Sequence, residues 1–157
     1  MTEWSANDVQ TINPGQSAIF STPMVPGDSG DIKHMPSTGP FLVSGGPTPR
    51  RNCGCPINAY VPCYVSFGGN IAVATGGTAD EISIAVALDG AVIPASEMVI
   101  TPTAAEEYGN VSVTISVPIW AGCCQSVSIQ NTSDQPIFLK NAHIALDRSN
   151  RRIRTSC

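Results

Sequence analysis

The sequence predicts an all-β protein: an antiparallel two-sheet jelly-roll sandwich with no long helix. Three observations carry that prediction. Ile82, Ile84, Val86 and Leu88 alternate with Ser83, Ala85 and Ala87, and Val111, Val113, Ile115 and Val117 alternate with Ser112, Thr114 and Ser116. Period two is the signature of half-buried antiparallel strands. Turn words such as Asp89-Gly90 and Thr132-Ser133-Asp134 divide the apolar stretches, and Asp-Gly is a strong two-residue hairpin signal. Prolines 14, 23, 26, 36, 40, 47, 49, 56 and 62 interrupt the first part of the chain, so no long helix fits there.

The elements follow in order. A strand over 9–12 leads to the turn Asn13-Pro14-Gly15, and 17–21 returns as a second strand. Segments 32–34 and 41–44 are expected at sheet edges, where neighbouring prolines are tolerated. Residues 45–56 form an ordered, cysteine-bearing loop. Strand 60–67, a turn at Gly68-Gly69-Asn70 and strand 71–75 come next, followed by a hairpin of 81–88 with 91–93. Strands over 98–101, 110–117, 126–131 and 137–147 complete the series. In the last of these the apolar phase moves from Ile137 and Leu139 to Ala142, Ile144 and Leu146, which predicts a bulge near Asn141. About nine or ten strands of this length make a two-sheet sandwich. A jelly roll is preferred over an immunoglobulin-like sandwich, because Trp4 is terminal and Trp120 sits beside Cys123 rather than between paired cysteines. The domain reading is a single jelly roll over 1–147, with 1–58 rich in Pro, Gly and Cys and 59–147 regular, followed by a basic tail over 148–157.

Composition narrows the function. Hydrophobic residues are 42% of the chain and charged ones 13%, a low charge content that suggests surface covered by other subunits. All twelve acids lie within 1–147, against Lys33, Arg50, Arg51 and Lys140, while the tail carries Arg148, Arg151, Arg152 and Arg154 with no acid. Such a tail can remain solvated or dock on an acidic neighbour, a second copy or nucleic acid. The absence of interleaved aromatics argues against nucleic acid. The first residues are acidic and polar, with no signal-peptide pattern, and no apolar run reaches membrane-spanning length. Cytoplasmic synthesis without a signal peptide is therefore expected, with no membrane partner.

The side chains of chemistry are few. Gly27-Asp28-Ser29-Gly30 has the wording of a serine-protease nucleophile, but His34 and His143 both lie downstream of it, the wrong order for that triad. A turn is the better reading. Two histidines are also too few for a cupin-type metal cluster; His143 is read as exposed or interfacial and His34 as a loop residue. Glu106 and Glu107 are adjacent, so on extended backbone they point apart rather than forming a catalytic pair. Asn110-Val111-Ser112 and Asn131-Thr132-Ser133 match the glycosylation sequon, and both are read as turn asparagines. Cys53, Cys55, Cys63, Cys123 and Cys124 are candidates to meet at one pole as reduced buried thiols, as disulfides or as a metal cluster. Cys157 is the odd thiol, available for an intermolecular bond. Trp120, Tyr108 and Tyr60 are candidate stacking aromatics for a glycan. No cofactor is expected, and no phosphate loop, dinucleotide fingerprint or nucleophile elbow is present.

The stretch Asn70-Ile71-Ala72-Val73-Ala74-Thr75-Gly76-Gly77-Thr78, continued by Ile82 to Gly90 and Ile93-Pro94, then Asn110-Val111-Ser112 and Asn131-Thr132-Ser133, resembles the small C1q/TNF-like jelly-roll domains of bacterial and bacteriophage surface proteins. The likeness spans about residues 60–147 and rests on cadence and turn words. It implies a homotrimer that packs one sheet of each copy around a threefold axis. The expected function is a non-enzymatic structural assembly protein, a homotrimeric bacteriophage virion component such as a capsid decoration or fibre-head protein. Its expected partners are itself and other virion or surface structural proteins, in the virion or outside the cell after release. The small residues Ser83, Ala85 and Ala87 are the expected subunit contact. The alternative is a jelly-roll module that binds carbohydrate or a cell surface.

Overall fold

The computed structural model describes residues 1–25, 30–48, 58–122 and 124–154. The strands among them are β1 Thr2–Ala6, β2 Gln10–Ile12, β3 Thr22–Val25, β4 Ile32–His34, β5 Phe41–Ser44, β6 Ala59–Val73, β7 Ile82–Leu88, β8 Ala91–Val92, β9 Met98–Ile100, β10 Gly109–Trp120, β11 Cys124–Asn131, β12 Ile137–Arg148 and β13 Ile153–Arg154. One sheet runs β10-β6-β12-β1-β3, with β13 beside β6 and β2 beside β12. The other runs β4-β5-β11-β7-β8, with β9 beside β7. All pairings between named strands are antiparallel. The predicted two-sheet jelly roll is the observed architecture.

Alternation puts every second side chain of each strand between the sheets. Val61, Cys63, Val65 and Phe67 of β6, with Ile144 and Leu146 of β12, are buried in one cluster with Phe41, Val43, Ile84, Val86, Val127 and Ile129 of the other sheet. The Asp89-Gly90 hairpin forms as predicted, with φ of 51° and 80°, both in the left-handed region that a primed turn requires. The bulge is also where the phase change placed it. Lys140 pairs with Asn70 and His143 with Gly68, so Asn141 and Ala142 face Gly69 alone, and Asn141 has φ 48°.

Four expectations are corrected. Gly68-Gly69-Asn70 does not turn; the chain runs straight through as the 15-residue strand β6. Those glycines make room instead. A Cβ on Gly68 would lie 2.7 Å from the His143 ring, and one on Gly69 would lie 3.0 Å from the Ala142 and Leu139 side chains, so they accept the bulge of β12. Residues 17–21 do not pair back on β2. Gln16 and Ala18 hydrogen-bond β11 through Asn131 and Ile129, and Ser21 donates to Ser5 of β1, so the segment crosses between the sheets with Phe20 fully buried.

The third correction concerns the chain ends. Residues 2–6 carry only one large apolar side chain and show no alternation, yet β1 lies between β12 and β3. The basic tail also joins the body: Arg148 ends β12 and ion-pairs Asp31 at 3.1 Å, and Ile153–Arg154 pair with Tyr60 and Ala59. Finally, Ser83, Ala85 and Ala87 are 8%, 0% and 0% exposed within the single chain. Ser83 is tied to Thr132 and Ser133, and in-register Val99, Gln130 and Val92 stand beside the three small residues. Within the single chain they form a shaded floor, which leaves little of their surface for a second copy.

Candidate functional site

The outward face of the seven-stranded sheet has the character predicted for the other sheet. Pairing register arranges its side chains in rows. Thr114, Ser66, Ala145 and Glu3 form one row; Ser112, Gly68, His143 and Ser5 form the next. Ser116, Tyr64 and Asp147 form a third. Glu3 and Asp147 bring charge to two of these rows, Asp147 directly opposite Tyr64, and most of the remaining positions are small or hydroxylated. Ser66 and Thr114 hydroxyls meet at 3.2 Å. Tyr64 stands 51% exposed in the middle of its row. The bulge at Asn141 and the bend of β1 leave a shallow groove of about 780 Å³, lined by Glu3, Ser5, Ser66, Asn141, His143 and Met24 among others. His143 is therefore exposed on this face, as its strand phase predicted.

The sequence-predicted residues distribute unevenly around this face. Trp120 ends β10 opposite Tyr60, their rings edge-on with centroids 5.3 Å apart. Tyr108 precedes the other end of β10, roughly 35–40 Å away along the strand, with the Lys140 ammonium 3.7 Å from its ring centroid. Burial, then the Glu106 charge, raises the Tyr108 phenol above its ordinary range. The two aromatics do not share a platform. Glu106 and Glu107 likewise serve local structure: Glu107 accepts from the Thr103 amide and hydroxyl, which lowers its carboxyl below the usual range, and Glu106 accepts from Thr75.

Of the cysteines, Cys53, Cys55, Cys123 and Cys157 lie outside the described residues. Cys63 and Cys124 are both free thiols, so of the three alternatives the disulfide is not found among the described residues. Cys63 points into the core on β6, while Cys124 is exposed on β11 of the other sheet. Burial, aided by the Asp147 charge and opposed by Arg148, pushes the Cys63 thiol up to about 12; as a buried neutral thiol it is inert. Among the described residues no three His, Cys, Asp or Glu side chains gather to hold a metal ion, and no helix is long and apolar enough to cross a membrane. The Gly27-Asp28-Ser29 turn lies outside the described residues.

His34, expected in a loop, sits on β4 between Phe41, stacked at 4.2 Å, and Trp4 at 4.3 Å. Its Nε2 lies 2.7 Å from the Phe20 carbonyl. Burial lowers its pKa below the ordinary 6.5, against the pull of the Phe20 and Pro40 carbonyls. Because the folded value is the lower one, the unfolded chain takes up the proton first. Stability is full above the unfolded value near 6.5 and falls as pH drops through that value and then the folded one. Urea midpoints at pH 7.5 and 5.0 are expected to differ in the native protein and to converge in His34→Gln. Equal pH dependence in both would remove His34 as the cause.

No family model matches the chain, and no curated protein matches it. Solved structures do. The globular domain of the zebrafish complement 1qA protein superposes with a TM-score of 0.56 over 93% of this chain and 94% of that one, at 10% identity. The Eiger TNF from S. frugiperda gives 0.59 over 92% and 88%, at 12% identity. The fold is the C1q/TNF-like jelly roll. At this identity the likeness establishes architecture alone, and it extends the resemblance seen over residues 60–147 to nearly the whole chain, including the proline-rich first part.

Proposed function

We propose that the protein is a non-enzymatic structural assembly protein that works as a homotrimer, a bacteriophage virion component of the capsid-decoration or fibre-head type. The observation that carries the self-assembly reading is the outward face of the seven-stranded sheet. Its centre holds Ser66, Gly68, Ser112, Thr114, Ser116 and Ala145 around the exposed Tyr64. A face of mostly small and hydroxylated side chains with an aromatic anchor suits close subunit packing, whereas a solvent-facing sheet normally carries many charged side chains. The C1q/TNF-like cadence carries the expectation of three copies around an axis, and this face is the one left to meet it. The virion reading draws on the low charge content and on the likeness in cadence to bacteriophage surface domains, and it places the protein in particles or outside the cell after lysis.

The test is direct. Native mass and sedimentation velocity at micromolar concentration are expected to give a trimer. Ser66→Arg combined with Thr114→Arg sets six guanidinium groups against one another in a trimer while costing an isolated chain little, since Thr114 is exposed and Ser66 half-buried. The double variant is expected to be a folded monomer by circular dichroism. A native protein that is a stable monomer overturns the reading. For the virion assignment, mass spectrometry of density-purified particles is expected to find the chain at fixed stoichiometry, and its absence from them would overturn that part alone.

A further inference from the structure

The inner side of the seven-stranded sheet ends in charge rather than in hydrocarbon. Arg148, the last residue of β12, pairs in register with the buried Cys63. Residues directly opposite in a sheet share a face, so the Arg148 side chain leaves its strand toward the gap between the sheets. It crosses that gap: Nε donates to the Ser44 carbonyl at the end of β5, and Nη1 meets Asp31 at 3.1 Å. Arg152 arrives at the same mouth from the tail. Its neighbour Ile153 pairs with Tyr60 on the outward side of β6, so alternation turns Arg152 inward, and its Nη2 lies 3.5 Å from the Gly45 carbonyl oxygen.

The two guanidinium groups converge on Gly46. A Cβ there would lie 2.5 Å from Arg152 Nη2 and 3.5 Å from Arg148 Nη2, so both nitrogens come close to one point, beside a residue with no side chain and a φ of 74°. Glycine suits both demands. Gly46 is itself held in place, its amide donating to Ser44 Oγ at 3.1 Å and its carbonyl accepting from the Gly122 amide at 2.9 Å. The charges here do not balance. Among the described residues Asp31 is the single acid ion-paired to either arginine, and it engages Arg148 Nη1. Arg148 Nη2 has no acceptor among the described residues, and Arg152 has only the long contact to Gly45. The Arg148 side chain is 11% exposed, so water screens this pair of like charges poorly.

We infer that this mouth is a binding site for one tetrahedral oxyanion, phosphate or sulfate, held between Arg148 Nη2 and Arg152 and fastening the tail to the end of β5. Geometry selects the class. A carboxylate is planar and fills one guanidinium fork, whereas a tetrahedral oxyanion offers oxygens in two planes and so meets two guanidinium groups that arrive from different segments. A long polyanion fits less well, because the site opens between two sheet ends and the chain as a whole carries a net charge of −4. The inference does not rest on the trimer reading, since both arginines lie on the inner side of the sheet whose outer side that reading uses.

An NMR titration of the full chain at neutral pH and constant ionic strength, with sodium phosphate, sulfate or acetate replacing sodium chloride, tests it. With phosphate and with sulfate the Nε–Hε signals of Arg148 and Arg152 and the Gly46 amide are expected to move together along one saturating one-to-one curve, with acetate binding about tenfold more weakly. Arg152→Gln is expected to weaken phosphate binding about tenfold, and Arg152→Lys, which keeps the charge and loses the fork, about threefold. Arg151→Gln, a change at an exposed neighbour, is expected to leave binding unaltered, and circular dichroism checks that each variant is folded. A linear, unsaturating response to phosphate in the native chain, or equal losses in Arg151→Gln and Arg152→Gln, would mean charge screening alone and overturns the site. Acetate binding as tightly as phosphate overturns the tetrahedral assignment.

Discussion

Phe20→Ala is expected to lower the stability of the fold by about 3–5 kcal/mol, the ordinary cost of deleting a fully buried phenylalanine. The reason is its position. Residue 20 lies on the segment that passes between the sheets, and its ring meets Phe41 of β5 at 6.2 Å and Phe67 of β6 at 6.4 Å. One side chain therefore contacts both layers, and its flanking backbone is pinned by Ala18 to Ile129 and by Ser21 to Ser5. The surroundings have little freedom to collapse into the space, so the cavity term adds to the lost transfer energy. Phe20→Leu, which keeps most of the volume, is expected to cost under half as much. Urea denaturation of both variants checks this, and a loss below about 1.5 kcal/mol for the alanine variant would show that the site relaxes freely.

Asn131→Ala is expected to cost about 2–4 kcal/mol through stranded polar groups rather than lost packing. Asn131 is buried, and its Nδ2 donates to the carbonyls of Ile12 at 2.8 Å and Gln135 at 2.9 Å, while Oδ1 accepts from the Ser133 amide at 2.8 Å. It joins β2, the end of β11 and the turn into β12. Alanine leaves two carbonyls and an amide without their partner in a place where water enters poorly. Asn131→Asp separates the contributions: it keeps the acceptor for Ser133 but offers two carbonyl oxygens a carboxylate. It is expected to be no more stable than the alanine variant at neutral pH. Denaturation midpoints decide, and an aspartate variant of native stability would show that the two carbonyls are solvated after all.

The same residue shows how far local sequence reaches. Asn131-Thr132-Ser133 reads as a turn, and the Asx hydrogen bond to Ser133 is that turn. What it cannot contain is the bond to Ile12, which depends on a contact 119 residues away in sequence. The hairpin at Asp89-Gly90 and the bulge at Asn141 were equally legible, because each is specified by two or three adjacent residues or by a phase change within one strand. Gly68-Gly69 misleads for the converse reason. Glycine marks both a turn and a close approach, and only the neighbouring His143 and Ala142 of β12 distinguish the two. β1 left no local trace, since Thr2 to Ala6 gain their strand conformation from the edge that β12 offers them.

The candidate faces divide in the same way. Alternation alone determined that this chain is all-β, that its strands have one apolar and one small or polar face, and that few side chains of catalytic chemistry stand on them. Period two says that two faces differ; it does not say what stands beside each residue. Tertiary pairing set Val92, Val99 and Gln130 around Ser83, Ala85 and Ala87, shading them, and left Ser66, Ser112, Thr114 and Ala145 open. It also folded β13 onto β6, so that Ile153 and Arg154 pair with Tyr60 and Ala59. Both outcomes are products of long-range strand register, which is fixed by burial across the whole core and not by any segment of the sequence taken by itself.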